Sequence, residues 1–138
     1  MNEQLENLVR IGQLKIEPSS AEEIEGLVHS GVVRLADAKN ESLSLESRFD
    51  LAYNAAFALS LAALRHAGYR SETRYHVFLC LTHTLGLANE KQRVLDQAHR
   101  KRNLSEYEGA TEVDESLLGA LVRVTDEVAQ AVESVIRT

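Results

Sequence analysis

RFDLAYNAAFALSLAALRHAG, residues 48–68, is the stretch from which the fold follows. Phe49, Ala52, Tyr53, Ala56, Leu59, Ala63 and Leu64 recur at helical spacing and make one wide apolar stripe. Alanine and leucine are strong helix formers, so the spacing predicts a helix over 44–67. Its stripe is thick with small residues, and small residues let neighbouring helices approach closely. This helix therefore belongs at the centre of a bundle, and Gly68 supplies its C-terminal stop.

Working outward from it, the other segments give the same class of answer. Ser20 with Glu23 three residues on is a capping box, and Ile24, Leu27, Val28, Val32 and Leu35 follow at helical spacing. They predict an amphipathic helix over 21–38, with a polar loop from Asn40 to Ser44. Leu5, Leu8, Val9 and Leu14 predict a short first helix over 3–13 in an N-terminal arm of residues 1–17, ended by Pro18. After the central helix, Tyr75, Phe78, Leu79, Leu81, Thr82 and Leu85 predict one helix over 73–85, stopped by Gly86. Residues 88–106 turn Val94, Leu95 and Ala98 inward and end before Gly109. Val113, Leu117, Leu121, Val124, Val128, Val132 and Val135 predict a final helix over 113–137 with a nearly heptad seam. Short connections between long helices favour antiparallel neighbours. The expectation is an all-α, antiparallel up-and-down bundle of four to five long helices, a single domain over 1–138.

Composition agrees and narrows the function classes. The 138 residues include 44% hydrophobic ones, enough for a sizeable core, and one proline and seven glycines, too few for a turn-rich β protein. A single cysteine, Cys80, excludes an internal disulfide framework and cysteine metal clusters. There is no signal-peptide pattern in residues 1–13 and no run near the roughly 18 apolar residues of a spanning helix. The expected setting is cytoplasmic, away from any membrane. The net charge of −6 argues against nonspecific duplex-DNA binding. Charge is uneven, however. RVLDQAHRKR, residues 93–102, carries four basic residues and a histidine against one acid.

That stretch holds the candidate chemistry. In a helix His99, Arg102, Asn103 and Glu106 share a face, and an imidazole, a guanidinium and an amide together suit a phosphate beside a ribose 2′-hydroxyl. The bland reading is a solvated basic helix end, favourable to the helix dipole. The five histidines, at 29, 66, 76, 83 and 99, fall in no metal motif. His76 and His83 sit two turns apart on one expected helix, too far to share an ion. Neither a metal nor another cofactor is expected. Tyr53 reads as a packing residue with its hydroxyl at the core edge. No hydrolase elbow, glycine-rich phosphate loop or paired-cysteine motif is present.

RFDLAYNAAFALSLAALRHAGYR, followed by TRYHVFLCL and then RKRNLSEYEG, resembles the bacterial HEPN domain pattern across residues ~20–137. There an alanine-rich helix carries an AYnAA core and ends at GyR, and an RN pair sits near the end of a later helix. The resemblance implies a homodimer with the RN regions facing across a two-fold axis. It also implies, for active members, metal-independent endoribonuclease chemistry in which Arg holds the scissile phosphate and a His five to seven residues on helps activate the ribose hydroxyl. Many members are toxins beside a nucleotidyltransferase-type partner protein, and others only bind RNA or a nucleotide. Carried over, the pair is Arg102–Asn103, and the family's His falls at Tyr107. Tyrosine, with an ordinary pKa near 10, is a poor general base at neutral pH, though it can stack on a base. His99, one turn before Asn103, is the candidate replacement. Arg93 with His99 and Arg70 with His76 also satisfy the bare Arg-x5-His spacing, which shows how weak that spacing is alone.

The tentative catalytic set is thus Arg102, His99 and Tyr107, and the nucleic-acid-binding set is Arg93, Arg100, Lys101, Arg102 and Asn103. The leading expectation is a HEPN-like RNA- or nucleotide-binding domain, with its catalytic half left open. The alternatives are an endoribonuclease toxin of a toxin–antitoxin pair and a non-enzymatic interaction module working through its final helix.

Overall fold

In a computed structural model, which describes residues 2–108 and 113–137, with side chains up to residue 104 and from 113 onward, the chain is an all-α, up-and-down helical bundle. Its long helices are α2 (Ala21–Ala38), α3 (Leu45–His66), α6 (Asn89–Glu108) and α7 (Glu115–Ile136). Shorter elements are α1 (Glu3–Arg10), α4 (Arg74–Leu79) and α5 (Leu81–Thr84). Two-residue strands β1 (Lys15–Ile16) and β2 (Tyr69–Arg70) pair antiparallel, Lys15 opposite Arg70 and Ile16 opposite Tyr69.

Helix α3 is the axis of the fold. It packs against α2, α4, α5, α6, α7 and β2, and twelve of its residues are buried. The alanines at 52, 55, 56 and 62 are wholly buried, so the small side chains do let its neighbours in. Its closest partner is α2, and Gly31 is the reason. A Cβ at Gly31 would lie 2.5 Å from Leu59 Cγ, and Leu59 is itself fully buried. Gly31→Ala is expected to destabilise by about 1–2 kcal/mol, because overpacking outweighs the better helix propensity. Gly26→Ala, on the exposed side of the same helix with nothing within 4 Å, should stabilise by up to about 1 kcal/mol. Urea unfolding of the two variants gives shifts of opposite sign if the α2–α3 contact is as close as described.

The helix starts follow local chemistry. Ser20 Oγ accepts from the Glu23 amide at 3.1 Å, Ser44 caps α3 through Ser47 N, and Asp114 caps α7 through Ser116 N. Gly68, with φ +95°, follows the end of α3 as expected.

Several expectations need correction. Helix α1 ends at Arg10, well before Pro18, because Gly12 at φ +79° lets Gly12 N and Gln13 N bond back to Val9 O and Leu8 O. The helix expected over 73–85 is two helices, broken at Cys80. Thr82 Oγ1 donates to Leu79 O at 2.9 Å there, offering that carbonyl a partner outside the helical ladder. His76 and His83 therefore lie on different helices, and His76 Nδ1 meets Thr73 Oγ1 at 2.6 Å. On α7 it is Leu118, not Leu117, that is buried; Thr125 is buried too, and Val135 is half-exposed. Val32 of α2 is likewise half-exposed, lining a groove between α2 and the end of α7. The expected stop at Gly109 lies outside the described residues.

A smaller core joins the N-terminal arm to the bundle: Leu5, Leu14, Leu64, Tyr69, Val77 and Cys80. Burial pushes the Cys80 thiol up to about 11, which keeps it protonated near neutrality. Among the described residues no helix is long and apolar enough to cross a membrane.

Candidate functional site

Tyr53 projects from the middle of α3 and is 1% exposed. A buried phenol needs a partner, and it finds one on α6: Tyr53 Oη lies 3.0 Å from His99 Nδ1. The other imidazole nitrogen, Nε2, lies 3.3 Å from Asn103 Nδ2, one turn along α6. With the amide nitrogen donating, Nε2 is the acceptor and Nδ1 carries the proton given to the phenol oxygen. The two contacts together fit a proton on Nδ1, with the ring held by a core residue on one side and a surface residue on the other.

Aromatic rings surround the imidazole. Tyr53 stacks on it at 6.3 Å between centroids, and Phe78 and Tyr75 of α4 lie 6.0 and 6.5 Å away. The sequence places Arg102 on the same face, and the structure brings it to the same cluster. Its guanidinium carbon is 5.2 Å from the Tyr53 ring centroid, and Nη1 is 3.8 Å from Asp50 Oδ1. Arg74 reaches the cluster from α4, 4.8 Å from the Phe57 centroid and 5.8 Å from Tyr53. Guanidinium groups within about 6 Å of a ring centroid are attracted by the ring quadrupole.

Beside this cluster an open cleft of about 530 Å³ runs between α4 and α6. One wall is Tyr75, Phe78 and Leu79; the other is Gln92, Arg93, Asp96, His99, Arg100 and Asn103. Four of the expected residues, Arg93, His99, Arg100 and Asn103, therefore share one cavity. Arg102 does not line it but lies against Tyr53 and Asp50, with 23% of its side chain exposed. Lys101 does not line it either. The side chains of Glu106 and Tyr107 lie outside the described residues, so the Tyr107 expectation is not placed.

The sequence reading did not anticipate the partners that organise the cleft. Tyr53 reads as ordinary packing because nothing local links it to a residue 46 positions away. Tyr75 and Phe78 read as part of one apolar helix, and nothing in the sequence singles out Arg74. Gln92 and Asp96 precede the basic run, yet they line the cleft with it, and the spacing 92, 96, 99, 103 that puts them on one helical face is the signal that could have found them. Gln92 Nε2 donates to Phe78 O at 2.8 Å, tying α6 to the end of α4. Asp96 Oδ2 accepts from Arg100 Nη2 at 2.6 Å.

The chain matches no protein-family model, and no curated protein matches it. The chemistry of the cleft has to be argued from its residues. It offers an exposed aromatic face, two guanidinium groups, an imidazole held at both nitrogens and one carboxylate. Among the described residues no group of three or more His, Cys, Asp or Glu is placed to hold a metal ion.

Proposed function

We propose that the chain binds single-stranded RNA in the α4–α6 cleft, as a HEPN-like domain. The observation that supports this most is His99, set by Tyr53 and Asn103 at the rim of a cleft with Tyr75 on one side and Arg93 and Arg100 on the other. Tyr75 is 49% exposed and gives a base a ring to stack on. Arginine suits phosphate through its planar fork of donors. The acidic body of the protein would repel RNA elsewhere, so a local cationic cleft confines it to one face.

Fluorescence anisotropy with labelled single-stranded RNA at low salt tests this. Wild-type protein is expected to bind with strong salt dependence, and Arg93→Ala should reduce the slope of log K against log salt by about 0.7, the share of one phosphate contact on a single strand. Arg102→Ala should weaken binding through the loosened Tyr53–His99 cluster and leave the salt slope nearly as it was. Absence of binding at low salt defeats the proposal.

A second reading is favoured by the imidazole itself. A histidine held beside arginines is suited to take a proton from a ribose 2′-hydroxyl at Nε2 once the substrate displaces the Asn103 amide, which makes the chain a metal-independent endoribonuclease. Cleavage of labelled total RNA in the presence of EDTA, lost in His99→Ala, would support it. Intact RNA with wild-type protein would leave binding as the function. In either reading the protein acts as a homodimer with its Arg102–Asn103 regions facing one another, which sedimentation equilibrium measures.

A further inference from the structure

We infer that the α4–α6 cleft selects guanine, through Asp96 and Gln92. This rests on the reading that the cleft takes RNA. The cleft contains a feature that phosphate binding does not explain. Asp96 puts a carboxylate between Arg93 and Arg100 in a site otherwise suited to an anion. Asp96 Oδ2 already accepts from Arg100, but the carboxylate still repels phosphate, and its other oxygen is favourable to RNA only where it meets a donor. The donors RNA offers are the N–H groups of its bases.

Gln92 points the same way. Its Nε2 is committed to Phe78 O, which fixes the orientation of the amide. Its Oε1 is shut away from water and meets no hydrogen-bond donor among the described residues. A buried acceptor left without a donor is costly, and a turn of the side chain that opens Oε1 to the cleft lets a ligand N–H recover that cost. Gln92 and Asp96 are one helical turn apart on the same face, with Cβ atoms about 5–6 Å apart. Guanine is the base whose Watson–Crick edge carries two adjacent donors, N1–H and the N2 amino group. Adenine and cytosine have one amino group beside an acceptor, which would face a second acceptor here.

The placement along α6 also matches a nucleotide. Gln92 and Asp96 lie toward the N-terminal end of the stripe, and His99 and Asn103 follow at about 1.5 Å per residue. A guanine held by the first pair and stacked on Tyr75 leaves its sugar and phosphate beside His99, Asn103 and Arg100.

Fluorescein-labelled pentamers UUGUU, UUAUU, UUCUU and UUUUU, with an inosine form of the first, test this by anisotropy against the full chain at low salt. UUGUU is expected to bind about tenfold more tightly than UUAUU or UUUUU, in the range of one good bidentate contact to a base. Inosine, which lacks the N2 amino group, should fall between. Asp96→Asn, with helix content checked by circular dichroism, should bring the ratio of UUGUU to UUUUU affinity close to one, and Gln92→Leu should reduce it. Equal affinity for all four pentamers would overturn guanine selection while leaving RNA binding in place. A preference for UUCUU would overturn the assignment to guanine. No binding to any pentamer would overturn both readings.

Discussion

Arg65→Met is expected to lower the unfolding free energy by about 3–5 kcal/mol, the scale for removing one partner of a buried ion pair. Arg65 is 2% exposed, yet its guanidinium makes five hydrogen bonds among the described residues. Nε and Nη2 donate to Glu23 at 2.8 and 3.1 Å, Nη1 to Glu17 O at 2.8 Å and Tyr69 O at 3.2 Å, and Nη2 to Pro18 O at 3.1 Å. Glu17 joins the network by an ion pair to Arg65 and another to Arg70. One side chain therefore fastens the link from α1 into α2 onto the end of α3. Methionine fills much of the same volume but leaves three carbonyls without this donor and the two carboxylates with Arg70 in place of the pair of arginines. Glu17 and Glu23 keep some access to water, which places the loss toward the lower end of the range. Thermal melting should show a midpoint lower by on the order of 10 °C, and an unchanged midpoint would mean that the network contributes nothing net.

The same network sets an acid limit. The hydrogen bond from Arg65 holds the Glu23 carboxyl below its ordinary value of 4.5, with the charges of Arg65 and Arg70 adding to it against the opposing effect of burial. A depressed folded value means that the contribution is fully present above pH 4.5 and fades as the pH falls from there through the lower folded value. In Glu23→Gln this part of the acid sensitivity should disappear, so the stability difference between wild type and variant narrows below pH 4.5.

How much of this was legible in the sequence depends on the range of the interaction. The span of α2 matches the residues between its capping box and its polar loop, because caps and periodicity act within a turn or two. The central position of α3 followed from its alanines, whose effect is to admit neighbours whatever their order. The break at Cys80 was not legible, since residues 73–85 keep an apolar period through it and the switch is a matter of which carbonyl Thr82 and the following amides choose. Nothing in the pattern around Arg65 marks it, and only the fold brings Glu17, Pro18, Glu23 and Tyr69 to it as acceptors. The β1–β2 ladder is too short to leave a pattern. For the candidate site, the face of His99, Arg102 and Asn103 was readable because it lies on one helix. The residues that orient and enclose it, Tyr53, Tyr75 and Phe78, come from two other helices, and no spacing rule connects them.

Tyr53 is where core and site meet, and two substitutions there should separate the roles. Tyr53→Ala removes a buried ring that touches Phe78 at 5.7 Å, stacks on His99 and receives the guanidinium groups of Arg74 and Arg102. It is expected to cost about 3–5 kcal/mol, the usual loss for emptying a large aromatic site. Urea unfolding measures it. Tyr53→Phe keeps the ring and its packing and deletes only the hydroxyl, so stability should fall by about 1 kcal/mol, the net value of one hydrogen bond. The consequence for His99 is larger than that figure suggests. Without the phenol oxygen Nδ1 has lost the partner that favours its proton there, and the contact between Nε2 and Asn103 remains to hold the ring. The 15N shifts of the ring should then move toward an average of the two tautomers, and RNA affinity should drop in a protein that is still fully folded. Equal RNA affinity in wild type and both variants would show that Tyr53 serves packing alone. A drop confined to Tyr53→Ala would point to the loss of ring contacts with Arg102 as the cause, and would move the working part of the site from the imidazole to the guanidinium beside it.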